Sequence, residues 1–419
     1  MTTRCVLSPE ICCWLKRLLL IGGLVPARMQ AGGIELVLQA PRQAGMGHTG
    51  TAFAADASVM VLNPGLLGAT PRPGVIFGGW GQRSTTRFLA QTPGDYTAET
   101  QPFTLAPICL YVSMRRGNSR WTWGLGAHTP YLSYTRWPDQ WKGQYISREF
   151  SFTTLALRPS VGVRLSPRWY VGLSGILLWG NMTHQRALQI DGPNGVESLA
   201  SFDGTGGGAG IQAGVYYRAS GRLALGLSGQ SQTRLRIDQG LVRFTVPESL
   251  IPLYPDLNFT SELPLPAKIQ AGLHYQPDQR FSLTLDLVYT RWSTWDTLTF
   301  SLSRVVKGLA EFPEVLYHNT LSFRTGCEYA FTDRIAFRGG AYSDPSPVTQ
   351  EYVSPALPDA NKIGITVGAG YQVTDHLQAD ICFQWENTGE RTALLRAANF
   401  AGTYITRAYA AGISIKYLW

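Results

Sequence analysis

Apolar and polar residues alternate with a period of two through most of the chain. Residues 281–289 place Phe281, Leu283, Leu285, Leu287 and Tyr289 at alternate positions, with Ser282, Thr284 and Asp286 among the residues between them. The same pattern recurs at 155–165, 321–331 and 377–385. Successive side chains of a β-strand point to opposite faces, so this pattern predicts strands with one apolar face. We therefore expect an all-β protein.

The length of the alternating segments separates two classes of β protein. A β-sandwich also alternates, but its strands average about 5–6 residues, whereas many segments here run for about 12–18. Tilted strands that cross a bilayer need about 9–11 residues. Tryptophans gather near the segment ends, at Trp121, Trp123, Trp169, Trp292 and Trp295, as in the aromatic girdles of membrane barrels. The pattern favours a transmembrane β-barrel.

Short and long connections alternate along the chain. We predict short turns at 116–118, 166–168, 220–222, 277–279, 332–334 and 374–376, and longer segments at 91–101, 136–148, 191–206, 238–261, 297–317, 346–360 and 389–401. Six turns and seven loops separate fourteen antiparallel strands, with the turns in the periplasm and the loops outside. The last strand ends at Trp419, and a terminal aromatic residue resembles the signal read by the barrel-assembly machinery, an expected partner.

The first residues have the layout of a secretory signal peptide. Arg4, Lys16 and Arg17 precede an apolar run at 18–27 that is too short to span a bilayer, and a small residue follows at Ala31. We expect cleavage after Ala31 or, alternatively, after Ala27. No later segment is apolar over the roughly 18 residues that a transmembrane helix needs. The chain is therefore expected in the outer membrane of a diderm bacterium.

A segment rich in Gly and Ala, residues 44–68, lies between the signal peptide and the first strand. The segment is too rich in glycine and other small residues for an ordinary helix, and its pattern is too irregular for a strand. A compact segment ahead of a barrel is expected to plug the lumen. The predicted organisation is a signal peptide at 1–31, an N-terminal hatch at 32–72 and a transmembrane barrel at 73–419.

Composition supports a membrane barrel and gives little support to other classes. Charged residues make up 15% of the chain, against about 25% in a typical soluble protein. The net charge of +8 falls to about +5 without the signal peptide's four basic residues and one acidic residue, which is too mild to imply nucleic acid. Cys109, Cys327 and Cys382 suggest neither a disulfide framework nor a metal site. We expect a monomer without cofactor, metal or enzymatic activity.

Several motifs resemble those of the FadL/TodX family of outer-membrane transporters for long-chain fatty acids and other hydrophobic compounds. Residues 54–58 (Ala-Ala-Asp-Ala-Ser), followed by Asn63-Pro64-Gly65, are similar to the family's hatch signature, with Gly65 where the family has Ala. Further similarities lie at 130–131, 141–145, 263–267 and 289–293, and in the loop from 344–348 to 357–360. They occur in the family's order and cover nearly all of the mature chain.

This resemblance implies a fold and a transport route. The fold is a fourteen-stranded barrel blocked by an N-terminal hatch that contains Asp56, Asn63, Pro64 and Gly65. The ligand, a long-chain fatty acid or another hydrophobic molecule, is caught outside between two long loops and passes to an inner pocket. A change in the hatch releases it. A kink in the third strand, here at Pro130, opens the wall so that the ligand leaves laterally into the lipid of the outer membrane.

An unusually apolar segment lies in the predicted outer loop 238–261. Its large apolar residues include Leu241, Val242, Phe244, Leu250, Ile251, Leu253, Leu257 and Phe259. An exposed apolar patch usually marks a binding site, and burial of one acyl methylene gains about 0.8 kcal/mol. We interpret the segment as a ligand groove. The alternative is a lid that packs on itself or on neighbouring loops.

Charged residues fall on the face of the strands that is assigned to the lumen. They are Arg158, Asp286, Arg324, Glu328 and Arg338, together with Arg164 and Asp380. An arginine there can bind the carboxylate of a ligand through two hydrogen bonds. The alternative, which we favour for any single residue, is that these charges pair with one another and with the hatch in a polar lumen.

Two prolines mark further candidate sites. Pro130 interrupts a strand pattern, and because proline has no N–H to donate it indicates either an ordinary bulge or the wall opening of the resemblance. Asn63 and Pro64 favour a turn in the hatch, which is either structural or part of a gate. Asp56 either caps a short helix or pairs with a basic residue of the barrel.

Three functions fit these features. The first is hatch-gated passive uptake of long-chain fatty acids or similar hydrophobic molecules, with possible lateral exit through the wall. The alternative is a barrel that acts as a secretion-associated or surface interaction scaffold. A general porin is a third possibility, which the predicted hatch weakens.

Overall fold

The computed structural model describes residues 33–36, 38, 40–91, 95–190, 198–295, 299–304, 306 and 316–419. The predicted signal peptide at 1–31 lies outside these residues, as do parts of the loops predicted at 91–101, 191–206 and 297–317. From Gly74 onward, the described residues belong to strands and to the connections between them.

The strands form a single antiparallel sheet of twenty-one segments. They are β1 (Gly74–Ala90), β2 (Thr97–Glu99), β3 (Phe103–Leu105), β4 (Ile108–Met114), β5 (Trp121–His128), β6 (Leu132–Arg136), β7 (Glu149–Arg164), β8 (Trp169–Leu188), β9 (Ser198–Arg218), β10 (Leu223–Gln230), β11 (Thr233–Thr245), β12 (Leu257–Leu265), β13 (Lys268–Tyr275), β14 (Phe281–Thr290), β15 (Thr299–Leu302), β16 (Thr320–Ala330), β17 (Ile335–Asp344), β18 (Lys362–Gln372), β19 (Leu377–Thr388), β20 (Arg391–Leu395) and β21 (Phe400–Leu418).

Several segments continue one another as a single strand of the wall. These are β2 to β4, β5 with β6, β10 with β11, β12 with β13, β14 with β15, and β19 with β20. Fourteen barrel strands result, and β1 pairs with β21 from Gly74↔Leu418 to Ala90↔Gly402, which closes the sheet. The predicted fourteen-stranded antiparallel barrel is confirmed.

The wall is apolar outside and polar inside, as the alternation predicts. On β21, Ile413 and Ile415 are 57% and 52% exposed, whereas the intervening Ser414 and the following Lys416 are 5% and 2% exposed. An ordinary soluble protein buries its large apolar side chains instead. An apolar band on the outer surface is what a bilayer solvates, so the barrel is built to lie in a membrane.

The connections follow the predicted alternation, but strands extend into several of the predicted loops: β2 lies within 91–101, β15 within 297–317 and β20 within 389–401. All six short turns lie between the strands predicted to flank them. The segment 238–261, however, is not one loop, because β11 extends to Thr245 and β12 begins at Leu257. Residues 198–206 likewise belong to β9 and not to a loop. Backbone hydrogen bonds to the neighbouring strands satisfy these polar or glycine-rich residues, so the ladder continues past the segments that alternate clearly.

The hatch precedes β1, and the helices among its described residues are short. They are α1 (Pro41–Ala44), α2 (Val59–Leu62) and a 3-10 helix at Pro64–Ala69. Between α1 and α2 the chain turns at Gly47 and His48, which have φ of 64° and 61°. Glycine adopts this conformation without strain, and His48 is fixed there by a 2.7 Å hydrogen bond between its Nε2 and Gln384 Oε1.

Among the described residues, none of the helices is both long enough and apolar enough to cross a membrane.

Glycines of the inner wall leave room for the hatch. A methyl group on Gly214 would overlap the side chain of Asn63, and one on Gly340 would overlap the backbone of Gly47. Similar overlaps with the hatch would arise at Gly162, Gly172, Gly226 and Gly326. The hatch therefore lies against bare wall backbone on several barrel strands.

Aromatic residues of the connection at 137–148 pack against the outer ends of β1 and β21. Trp137 and Trp141 are stacked with ring centroids 4.2 Å apart, and both contact Phe88 of β1. The indole N–H groups donate to the carbonyl oxygens of Pro355 and Ser147, at 3.0 and 2.9 Å. Burial of these rings fixes the connection over the lumen, because each indole satisfies its one polar group there.

Candidate functional site

The apolar residues predicted to form an outer groove divide between two environments. Val242, Leu257 and Phe259 point into the barrel and are buried in a cluster that also contains Phe202. Phe244 is partly buried against Tyr254, at 5.7 Å between ring centroids. Leu241 and Leu250 are half-buried, whereas Ile251 and Leu253 are 55% and 60% exposed.

The packing of this region matches the lid more closely than the groove. Phe259 contacts Phe202 and Phe300, with centroids 5.9 and 5.6 Å apart, so it leaves no open channel at that position. The exposed pair Ile251 and Leu253 lies on a 3-10 helix at Glu248–Leu253. Only this short helix offers apolar surface to the outside.

An internal chamber of about 150 Å³ lies between the N-terminal segment and the wall. Its apolar lining comprises Ile34, Leu36, Leu38, Leu105, Leu132, Trp292, Tyr317 and Leu357. Its polar lining comprises Glu35, Arg324, Asp344, Asp359, Lys362 and Glu386, with several hydroxyl groups. The lining can therefore contact a hydrocarbon through its apolar residues and bind a polar head group through its charged ones.

The wall of the chamber is irregular at Pro130. Strand β5 ends at His128 and β6 begins at Leu132, and the partner strand β7 advances from Ala156 to Thr153 over the same interval. Four steps along one strand against three along its partner leave one extra residue, which defines a bulge. The structure places Pro130 within this interruption, because proline cannot donate to the ladder.

The N-terminal segment pairs with the chain at this bulge. The Leu36 N–H donates to the Pro130 carbonyl at 2.9 Å, and the Leu132 N–H donates to the Ile34 carbonyl at 3.3 Å. Glu35 forms an antiparallel bridge with Tyr131. Residues 34–36 therefore cover the irregular strand from the inside.

The irregular strand, formed by β5 and β6, makes few contacts near β6 with the neighbouring strand that contains β3. In the described part of the chain, β3 pairs with β1, and β6 pairs with β7, but no ladder joins β3 to β6. One backbone bond, from Gln101 N–H to the Arg136 carbonyl at 2.7 Å, joins the two strands near the outer end. Phe103 and Tyr134 face each other across the gap, with ring centroids 4.2 Å apart.

Two buried cations lie behind the N-terminal segment. Arg158 is 3% exposed and donates to His128 Nε2 at 2.9 Å, to Gln212 Oε1 at 2.5 Å and to Gln230 Oε1 at 3.0 Å. Lys268 forms an ion pair with Glu35 and lies 5.6 Å from the ring centroid of Tyr131. A cavity of about 30 Å³ adjoins both cations and Glu35.

The other predicted lumen charges pair as the alternative interpretation expects. Arg324 lies 3.5 Å from Asp344, and Arg338 lies 2.6 Å from Glu328 and 2.7 Å from Asp380. Arg42 of the hatch forms two hydrogen bonds with Glu328, at 2.8 and 3.1 Å. The exception is Arg164, which is exposed at the end of β7.

Asp56 links the hatch to the last barrel strand. Its carboxylate accepts from Lys416 Nζ at 3.3 Å and from Ser58 Oγ at 2.6 Å, and Lys416 also lies 3.8 Å from Asp380. Burial acts to raise the pKa of Asp56, but Lys416, Arg42 and the hydrogen bonds from Ser58 outweigh it and hold the pKa below its ordinary value. The carboxylate is therefore charged and anchors the hatch.

Asn63 and Asp286 satisfy the backbone of the hatch. The Asn63 amide donates to the carbonyl oxygens of Thr51 and Val215 at 2.9 and 3.0 Å, and its oxygen accepts from the Gly65 N–H at 3.0 Å. Asp286 accepts from the backbone N–H groups of Gly50 and Thr51, both at 2.9 Å. A side-chain acceptor at the start of a short helix replaces the missing backbone partner, as Asn63 does for the 3-10 helix after Pro64.

Gly65 fits the wall where alanine would not. A methyl group there would lie 2.8 Å from the carbonyl oxygen of Gly214, closer than real contacts of this kind. Glycine in place of the alanine of the hatch signature therefore allows the hatch to approach the wall closely at position 65.

The sequence analysis missed several residues of the site. Glu35, His128, Tyr131 and Lys268 surround Arg158, but none had been predicted there. The period of two could have identified Lys268, because it shares the inward face of β13 with Gln270. Glu35 has no such signal, since residues 33–36 belong to no strand.

The fold and the site define a class: an outer-membrane barrel plugged from within, with a mixed apolar and polar chamber behind an irregular wall strand. A family model described as "Outer membrane protein transport protein (OMPP1/FadL/TodX)" matches residues 23–418. The chain therefore belongs to the OMPP1/FadL/TodX family of outer-membrane transport proteins. The predicted resemblance and the outer-membrane location are both confirmed.

Individual relatives are distant but match along most of their length. The chain is 20% identical over 403 residues to the long-chain fatty acid transport protein of Escherichia coli (strain K12), covering 85% of this chain and 88% of the relative. Its fold is similar to that of a Pseudomonas aeruginosa FadL homologue, with a TM-score of 0.79, 18% identity and coverage of 92% and 99%. It is also similar to the Ralstonia pickettii toluene transporter TbuX, with a TM-score of 0.67, 16% identity and coverage of 94% and 99%.

Proposed function

We propose that this protein carries fatty acids or similar hydrophobic small molecules across the outer membrane by passive diffusion, with the hatch as its gate. The observation that supports it best is the chamber between the N-terminal segment and the irregular strand. An apolar lining beside fixed charges suits a molecule with a hydrocarbon body and a polar end.

The family and its members make hydrophobic cargo the natural choice. One relative is named for long-chain fatty acids and one similar structure for toluene. Both molecules require an apolar path, and only the fatty acid carries a charge. Arg158 and Lys268 line the smaller cavity, which shares Glu35 and Arg324 with the chamber. They can bind a carboxylate there, because a buried ionic hydrogen bond is stronger than a neutral one.

The route from the chamber into the membrane would pass through the gap between β3 and β6. Leu105 and Leu132 line the chamber on the two sides of this gap. A single described backbone bond crosses this gap, whereas long ladders join strands such as β1 and β21. Withdrawal of residues 34–36 would connect the chamber to the lipid without opening the whole barrel.

A first experiment tests whether the protein transports such molecules at all. The gene is deleted, and uptake of radiolabelled oleate is compared with uptake of a small hydrophilic sugar. We expect loss of oleate uptake only, restored by the wild-type chain. Unchanged oleate uptake, together with no lipid detected by mass spectrometry in the purified barrel, would refute transport.

A second experiment tests the lateral route. Phe103→Cys and Tyr134→Cys are combined, and the two thiols are joined across the gap by a short bis-maleimide. We expect oleate uptake to fall by about tenfold on cross-linking, because the path to the lipid is blocked. In the matched control, Phe383→Cys and Tyr409→Cys join strands β19 and β21, whose ladder is already continuous. Equal uptake before and after cross-linking at the gap would exclude this exit.

A further inference from the structure

The charges around Arg158 are unequal in number. In the part of the chain that the structure describes, the hydrogen-bond acceptors of Arg158 are neutral: two glutamine oxygens and His128 Nε2, which carries no proton when it accepts. Lys268, 7% exposed, lies at the same cavity. Arg324 also lines the cavity, but it lies 3.5 Å from a carboxylate of its own, that of Asp344. Among the described residues that line the cavity, Glu35 is the only carboxylate, so Arg158 and Lys268 share one anion.

That anion belongs to the element that must move. Glu35 is not part of the barrel but of the N-terminal segment, which contacts the irregular strand through the Leu36 N–H and the Ile34 carbonyl. Lys362 Nζ also holds this segment by donating to the Gly33 carbonyl at 3.4 Å. In the described part of the chain, short-range contacts and one ion pair hold this segment, whereas strands of the wall such as β1 and β21 are joined by continuous ladders.

We propose that Glu35 acts as an internal substitute for the ligand's carboxylate: it occupies the cationic site in the closed state, and an acidic amphiphile opens the route by exchanging with it. This inference rests on the proposed transport function and adds a rule for which molecules open the gate. The ligand's head group replaces the Glu35 carboxylate at Lys268 and Arg158, while its hydrocarbon occupies the apolar side of the chamber.

Charge balance makes the exchange selective. Removal of Glu35 without replacement leaves two buried cations unpaired, which is strongly unfavourable. A carboxylate restores the balance, but an alcohol or an aromatic hydrocarbon of the same size does not. Neutral molecules can therefore enter the chamber only with Glu35 still in place, and the segment then stays on the irregular strand.

The exchange also explains how binding and opening are coupled. Glu35 is flanked directly by Ile34 and Leu36, whose backbones bond to Leu132 and Pro130. When the Glu35 side chain leaves Lys268, these bonds lose their ionic anchor. Binding of a carboxylate thus favours release of the segment from the irregular strand, as expected when a ligand binds one of two states more tightly.

The test compares a carboxylate with its matched alcohol. Laurate and dodecanol are titrated into the full-length barrel in detergent, for the wild type and for Glu35→Gln. Because the variant has no anionic competitor, we expect its apparent laurate affinity to rise about tenfold while dodecanol affinity changes by less than about twofold. The control Glu351→Gln, at an exposed pair with Arg396, should change neither.

A second variant guards against a trivial loss of fold. Lys268→Gln should weaken laurate binding about tenfold and leave dodecanol binding intact, and dodecanol binding itself shows that the chamber has formed. Laurate affinity that is unchanged or lower in Glu35→Gln, with dodecanol still bound, would overturn the exchange but not transport. If the wild type binds neither probe, the proposed transport function fails first.

Discussion

At the scale of single residues, the glycines of the wall matter as much as its side chains, because they let the hatch approach the wall backbone. Gly214 approaches Asn63, and Gly340 approaches Gly47, so closely that no Cβ can be accommodated. At Gly340 the neighbour is backbone, so no rotamer change can relieve the contact. At Gly214 the neighbour is the side chain of Asn63, which hydrogen bonds to the hatch and the wall hold in place. We therefore expect the hatch to respond to substitutions that add one methyl group.

Gly214→Ala is expected to loosen the hatch. The new methyl group overlaps Asn63, and overpacking of this kind costs about 1–3 kcal/mol of unfolding free energy. The matched control is Gly229→Ala on the adjacent β10, where a Cβ meets nothing within 4 Å. Planar-bilayer conductance and urea unfolding measure the two effects. If Gly214→Ala and Gly229→Ala show the same conductance and the same free energy of unfolding, the close packing at Gly214 is contradicted.

The residues of the site differ in how far the sequence could predict them. Arg158, Arg324 and Arg338 follow from alternation alone, since each lies on the polar face of a clear strand. Their partners do not, because pairing depends on which strands become neighbours and on the path of the hatch. Arg42 and Glu35, which bind Glu328 and Lys268, come from irregular segments with no period to place them.

At the scale of elements, a chain of ion pairs joins the hatch to four barrel strands. It runs from Arg42 through Glu328, Arg338 and Asp380 to Lys416, and from there back to Asp56 of the hatch. Each inner member has two opposite charges beside it. Because the signs alternate, removal of an inner member such as Asp380 leaves two like charges near each other, each with one opposite charge fewer.

Asp380→Asn is expected to destabilise the barrel strongly. Arg338 and Lys416 lose their shared anion, and breaking a buried pair typically costs about 3–5 kcal/mol. The control is Arg396→Gln at the exposed pair with Glu351, for which a change below about 1 kcal/mol is expected. Urea unfolding in detergent gives both values. Similar values for the two variants would show that the chain contributes no more than a surface pair.

The anchor at Asp56 predicts a particular pH dependence. Its pKa in the folded protein is lower than the ordinary 3.8, so its stabilising contribution is fully present above pH 3.8 and is lost as the pH falls through the folded pKa. The free energies of unfolding of the wild type and Asp56→Asn should therefore differ by a constant amount from pH 7 to pH 5. The difference should narrow only below about pH 4. Narrowing between pH 7 and pH 5 would contradict an ionised anchor.

The misassigned loops show the limit of reading elements from alternation. Residues 238–245 and 257–261 looked like a loop because β11 contains an irregularity between Ile237 and Gly240, which shifts the faces by one residue. A period of two cannot be followed across such a shift. The six short turns were predictable, because turn residues and a change of strand direction coincide there.

At the scale of the whole molecule, the closed sheet and the presence of a hatch could be predicted, while the packing inside the barrel could not. Strand number, direction and outward face follow from local signals that repeat fourteen times. The contacts of the hatch, the stacked pair Trp137 and Trp141 and the chamber are each made once, between distant segments. No repeated signal describes them, so they emerge only from the assembled barrel.

The glycine recesses also bear on how the barrel comes to be made. Glycine weakens a strand by roughly 0.5–1 kcal/mol relative to alanine, so a wall with many recesses would be a poor sheet by itself. The recesses are occupied by a segment that leaves the ribosome before any strand does. The hatch can thus act as a folding template. The weak strands would pack against it and find their register before the last strand pairs with the first. On this view, hatch and barrel fold as a single cooperative unit, and the barrel does not form first and receive the hatch afterwards.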